Sequence, residues 1–239
     1  MNELHSNNNH DSFRFQNYIG EFVYGGIDGS VTTFAVVAGS VGANLDISVI
    51  IILGFANLIA DGFSMSVGSF LSKKSEADNY EKHRKIEETE IEEMPDTEKE
   101  EVREIYRKKG FEGQLLEDIV NVITSDKKRW VDTMMKDELE MIKDAKPPFN
   151  MALVTFLSFF SIGLIPLLSY LFKSWLNLEH QQLFALACLL TTLAFALIGY
   201  LKTYVTQTPA WKGVVETVFL GSSAATLAYF VGSWLEKIF

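Results

Sequence analysis

Apolar residues in this chain fall into five long runs separated by polar breaks, at about residues 18–43, 47–71, 150–173, 181–203 and 212–235. A helix rises ~1.5 Å per residue, so about 20 residues cross the hydrocarbon core of a bilayer, and each run is long enough. The pattern predicts an all-α integral membrane protein with five transmembrane helices. The first run is not a cleavable signal peptide: the sequence before it is polar without a basic region, and Gly and Asp interrupt its apolar residues. Gly163 and Pro166 predict a kink in the third. Residues 1–17, "MNELHSNNNHDSFRFQN", read as a disordered N-terminal tail.

Between the second and third runs the pattern changes. Residues 73–146 hold sixteen of the 21 Lys and Arg and twenty-two of the 31 Asp and Glu. The net charge of -10 and the 48% apolar content thus belong to different parts of the chain. The division is a tail (1–17), helices 1 and 2 (18–72), an acidic helical domain (73–146) and helices 3 to 5 (147–239). Lys73 and Lys74 at one mouth of the domain, and Lys143 and Lys146 at the other, predict that it is cytoplasmic. Five crossings then put the N-terminus in the cytoplasm and the C-terminus in a lumen or outside. Bases are outnumbered within their own domain and no phosphate-binding Gly loop is present, which argues against a nucleic-acid partner. Cys188, the single cysteine, excludes an intramolecular disulfide and a Cys-rich metal site.

Helix 2 is expected to continue into the acidic domain and end near Met94, because Pro95 disfavours a helical residue before it. Thr97 with Glu100 fits a capping box opening a helix to about Lys109, before Gly110. Further helices are expected at about 114–123 and from Ser125 towards Pro147 and Pro148. Glu87, Glu88, Glu90, Glu92 and Glu93 crowd the end of the first of these helices, where the macrodipole disfavours negative charge. Glu87 and Glu90 lie at i, i+3, as do Glu98 and Glu101, while Met134 and Glu138 lie at i, i+4; each pair shares a helix face. Three such pairs can converge on one divalent cation. Glu88, Glu92, Glu93 and Glu100 read as solvated surface.

Two of the membrane runs carry chemistry. Asp28 lies within "YGGIDGSVTTFAVVAGSVGA", where a lipid-facing carboxylate would cost a few kcal/mol, so it should face protein or a watery path. Its bland role is a hydrogen bond with Thr32, its functional role an ion ligand or proton carrier. The glycines around it allow close helix approach. On helix 2, Asn57, Asp61 and Met65 recur at i, i+4 and i+8 and form one stripe. Carboxylates alone suit Mg, Ca or Mn, whereas a thioether shifts the preference towards Fe(II). Glu216, near the start of helix 5, fits the favourable end of a helix dipole.

"IDGSVTTFAVVAGSVGA", "GFSMSVGSFLSKKSEADNY", "PDTEKEEV" and "WVDTMMKDELE", in this order, resemble the vacuolar iron transporter (VIT) family over roughly residues 17–235. The resemblance implies a homodimer with five transmembrane helices that exchanges cytosolic Fe(II), and in some members Mn(II), for protons, with a metal-binding domain between helices 2 and 3. It makes Asp28 and Met65 ligands of the translocation path. Glu87, Glu90, Glu98, Glu101, Met134 and Glu138 become ligands of the cytoplasmic domain, with Met135 an adjoining substitute. Family members from plants and fungi tend to carry a glutamate where Asn57 stands, and Asp61, one turn on, is the nearest acid on that stripe.

The expectation is therefore a proton-coupled exporter of Fe(II), with Mn(II), Co(II) or Zn(II) as other ions to compare, and with no cofactor, since the metal is the substrate. Its membrane is vacuolar, another endomembrane, or a bacterial inner membrane. One rival is a membrane-anchored di-iron carboxylate oxidase. Such sites need Glu-x-x-His pairs, and His5, His10, His83 and His180 all lack a Glu three residues earlier. The other, a non-transporting adaptor, leaves Asp28 and the helix 2 stripe unexplained.

Overall fold

The computed structural model describes residues 10–144, 146–207 and 209–239, and among these the regular structure is all helical. The helices are α1 (His10–Gly42), α2 (Ile47–Glu93), α3 (Pro95–Lys108), α4 (Gly113–Thr124), α5 (Lys127–Asp137), α6 (Pro148–Gly163), α7 (Ile165–Leu171), α8 (Lys173–Leu176), α9 (His180–Thr206) and α10 (Ala210–Glu236). Two units divide the chain: one contains the residues up to Phe70 and those from Pro147 onwards, the other is Leu71–Lys146.

In the first unit, α1, α2, α9 and α10 are each long and apolar enough to cross a membrane; α6 and α7, bent by 43° at their junction, pass the same test only as a pair, which makes five spans if the pair crosses as one. The bend falls between Gly163 and Pro166, as the sequence predicts. Helix α1 is already helical at His10, upstream of the expected span, so the tail reading does not hold for residues 10–17. For residues 1–9 that reading lies outside the described residues.

Helix α1 packs against α6, α7, α9 and α10. Glycine makes this possible: a Cβ on Gly29 would stand 2.3 Å from the carbonyl oxygen of Phe159, and one on Gly163 would stand 2.7 Å from that of Gly29. On the α10 side, a Cβ on Gly232 would meet the Gly39 carbonyl at 2.0 Å. Such backbone-to-backbone contact is how apolar helices gain packing energy where lipid offers no hydrophobic driving force. Several buried hydroxyls are satisfied within their own helices, as where Ser30 Oγ donates to the Gly26 carbonyl (2.8 Å) and Thr191 Oγ1 to that of Ala187 (2.7 Å). The membrane half of α2 buries Ile50, Gly54, Leu58, Gly62 and Ser66, one i, i+4 stripe, and leaves Ile52, Ile59, Phe63 and Val67 exposed.

The second unit folds around Ile91, Val102, Val120, Trp130, Met134 and Met135, contributed by α2, α3, α4 and α5. Helix α2 ends at Glu93, close to the expected Met94, and α3 starts immediately with Pro95 at its first position. The expected capping box does not form: the N-cap is Met94 and no side chain caps it. Proline presets the helical φ and has no N–H to satisfy, so the helix opens before Thr97. Gly110, at φ +94°, ends the next turn beyond α3. Asp126 accepts a hydrogen bond from the Arg129 N–H (2.8 Å) and so caps α5. That helix stops at Asp137 rather than running on towards Pro147; Glu138 is its C-cap and Glu140 takes φ +53°.

Candidate metal-binding residues

In the Leu71–Lys146 unit some exposed acidic side chains are ion-paired and others, Glu93 and Glu104 among them, are exposed without a base within ion-pair distance among the described residues. Arg84 pairs with Glu88 at 3.2 Å, Lys127 with Glu92, and Arg103 with both Glu100 and Glu117, the latter at 2.7 Å. Glu88, Glu92 and Glu100, expected to be simple surface, are thus ion-paired surface. The bases also relieve part of the dipole conflict at the end of α2 that the sequence suggested a cation would have to relieve.

Glu87, Glu90, Glu98, Glu101 and Glu138 behave differently. Among the described residues, none has a basic side chain within ion-pair distance. Glu87 and Glu98 are each only 4% exposed, and each has a carboxylate oxygen, Oε2, without a hydrogen-bond partner. Burial, then the charges of Glu138, Glu98, Glu90 and Glu101, push the Glu87 carboxyl up to about 7. Burial followed by Glu101, Glu90 and Glu138 pushes Glu98 up to about 7 as well. Glu138, more exposed, is raised by desolvation and by Glu101 and Glu90. All five are therefore within electrostatic reach of one another. Met134 is fully buried in the core of the same unit and Met135 is 1% exposed. Among the described residues no three His, Cys, Asp or Glu side chains stand close enough together to form a ready-made metal site. Neighbouring carboxylates desolvated without a base repel one another, so their mutual distance depends on what neutralises them.

Fold and chemistry meet here in a short stretch of chain. Because Met94 alone separates α2 from α3, Glu87 and Glu90 near the end of one helix come within electrostatic reach of Glu98 and Glu101 at the start of the next. Glu138 reaches them from the end of α5. The sequence missed Trp130, 8% exposed, whose indole Nε1 also lacks a hydrogen-bond partner. Its signal was available: Trp130, Met134 and Glu138 recur at i, i+4 and i+8.

In the first unit, Asp28, Asn57 and Met65 are half-buried, and Asp61 is exposed. The Asn57 amide donates to the hydroxyls of Thr32 (3.3 Å) and Thr33 (3.4 Å), which ties α2 to α1 one turn beyond Asp28. Thr32 Oγ1 donates to the backbone carbonyl of Asp28 (2.9 Å), not to its carboxylate, so the bland role given to that acid does not hold. Asp61 is near enough for its charge to act on Asp28. Met65 packs against the cluster containing Leu58 and Phe159. The stripe of Asn57, Asp61 and Met65 therefore splits: two members turn towards neighbouring helices and Asp61 turns outward. Glu216 also departs from its expected role. It lies beyond the first turn of α10 and pairs with Lys202 of α9 at 2.8 Å.

Comparison with known proteins places these residues in context. The model of the VIT family matches residues 19–233. A "Vacuolar iron transporter" of Toxoplasma gondii is 36% identical over 99% of this chain and 78% of its own length. "Vacuolar iron transporter 1" of Eucalyptus grandis is 34% identical over 87% of this chain and 83% of its own. The Arabidopsis thaliana protein of the same name is 33% identical, with 87% and 82% covered.

Proposed function

The chain belongs to the VIT family, and from that premise we propose that it is a multi-pass transporter that moves Fe(II), and Mn(II) with it, out of the cytoplasm across an endomembrane in exchange for protons. The observation that carries this reading is the sorting of the glutamates. Several exposed glutamates pair with bases, whereas Glu87 and Glu98 are buried without one, each with an unpartnered carboxylate oxygen, and Glu90, Glu101 and Glu138 add their charge to them.

Glu87, Glu90, Glu98, Glu101 and Glu138 supply hard oxygen ligands and Met134 a soft sulfur, a mixed set suited to Fe(II) or Mn(II). A divalent cation among them would remove the repulsion that raises Glu87 and Glu98. Protons compete for the same oxygens, so the ion is held above about pH 7 and released as pH falls through that value. Asp28 and Met65 form the path through the membrane helices, with Asn57 fixing α2 against α1 and Asp61 offering a second carboxylate. A path lined from α1 and α2 and partly open at Asp61 is completed by a second copy of the chain, so the working form is a homodimer. The Leu71–Lys146 unit and the N-terminus are cytoplasmic, and the C-terminus is lumenal. Membership of a transporter family leaves the oxidase and the adaptor without support.

The test is transport by purified protein in proteoliposomes. Asp28→Asn should abolish Fe(II) uptake driven by a pH gradient while leaving Mn(II) binding to the solubilised protein unchanged. Wild-type flux in this variant would remove Asp28 from the path.

A further inference from the structure

Two ion pairs fix how α5 lies against the distal part of α2. Lys127 pairs with Glu92, and Arg84 pairs with Asp132 at 3.6 Å, so rising numbers on α5 meet falling numbers on α2 and the two helices run antiparallel. Trp130 lies between Lys127 and Asp132, and Glu87 lies between Arg84 and Glu92. The bracketing pairs thus set Trp130 and Glu87 at the same level of the two helices. Both are in the interior, 8% and 4% exposed, and both hold an unpaired polar atom: the indole Nε1, a donor only, and the carboxylate Oε2, an acceptor when ionised.

A buried donor or acceptor without a partner is costly, and a native structure keeps one only where something else compensates. Here the two shortages are complementary and lie at one level of neighbouring helices. We propose that the indole N–H of Trp130 is the positioning donor for the Glu87 carboxylate, directly or through one water, when Glu87 binds the transported cation. This rests on the metal-binding role given to Glu87 above. Once a cation fixes one carboxylate oxygen, the other becomes a strong acceptor, and the indole N–H holds it in the binding orientation. Partners that orient a ligand in this way typically change metal affinity by about 10- to 100-fold. Trp130 is one turn from Met134 on the same face of α5, so the helix that supplies the thioether also supplies the donor.

The experiment uses the full-length protein in detergent, with Mn(II) as the probe and free ion counted by electron paramagnetic resonance. Trp130→Phe keeps an aromatic ring and removes the N–H; it should weaken Mn(II) binding about 10-fold without changing the number of ions bound. In wild type carrying nitrogen-15 in its indoles, the Trp130 N–H resonance, assigned by its absence from the variant, should move downfield on adding Zn(II). It should stay put in Glu87→Gln. An unmoved resonance in the wild type, or unchanged affinity in Trp130→Phe, overturns the proposal; the shift itself is read in the wild type, and the variant serves only to assign it. If Glu98→Gln with Glu101→Gln leaves Mn(II) binding intact, the metal-binding reading fails first. If that pair abolishes binding and the indole does not respond, only the role of Trp130 fails.

Discussion

The two units of this chain are built with opposite polarity. In the membrane unit large apolar side chains point outward: Phe63, Phe219 and Leu227 are each about two-thirds exposed, and what is buried includes glycines and back-bonded hydroxyls. In Leu71–Lys146 an apolar core that includes Trp130 and Met134 is inside, and several charges pair on the surface. Each unit makes its exception among carboxylates. Asp28 is half-buried among apolar helices, and Glu87 and Glu98 are buried in an acidic domain in which several bases pair with other acids. Such exceptions cost stability, and in both units they coincide with the residues a transported cation would need.

The largest effect should come from filling the closest helix contact. Gly29→Val places carbon where the Phe159 carbonyl already stands, 2.3 Å from the added Cβ, and backbone cannot move aside as a side chain can. A loss of about 3 kcal/mol or more is expected, read as loss of a monodisperse peak after solubilisation. A variant that purified normally and melted like wild type would mean that close packing does not hold the membrane unit together.

A smaller effect, opposite in sign, is expected at the buried glutamates. Without metal, Glu87 and Glu98 bind protons up to about pH 7 in the folded protein but only to 4.5, the ordinary value, when unfolded. Between those values the folded state holds more protons, so stability of this unit should fall as pH rises from about 4.5 to 7 and then level off. Hydrogen exchange across residues 71–146 should show this slope, and Mn(II) should abolish it. Glu87→Gln with Glu98→Gln should flatten the slope and slow exchange at pH 8 while weakening Mn(II) binding, a gain in stability bought with function. Faster exchange in that variant would show that the two carboxylates stabilise the unit rather than strain it.

The smallest effect is expected where the acidic unit is ordinary. Arg103→Ala removes the partner of Glu100 and Glu117, an exposed network screened by water. Neither Mn(II) affinity nor the thermal midpoint should change resolvably. A marked loss of affinity would show that the paired and unpaired glutamates are one network and not two groups.

The four long apolar spans, the bent pair at Gly163 and Pro166 and the turn at Pro95 were legible because each depends on a run of apolar residues or on one residue's own backbone limits. The i, i+3 pairs of glutamates were legible too, since helical spacing states which side chains share a face. The sequence alone therefore settled the helical membrane architecture and proposed which acids belong together. Tertiary structure decided which of them found a base: the partner of Glu92 lies on α5, and that of Glu117 lies on α3. It also decided that Asp61 turns outward while Asn57 grips two threonines of α1, and that Lys202 takes Glu216. Periodicity describes a helix's own faces and carries no information about what another helix brings opposite them. For that reason the common level of Trp130 and Glu87 emerged only once two ion pairs had set α5 against α2.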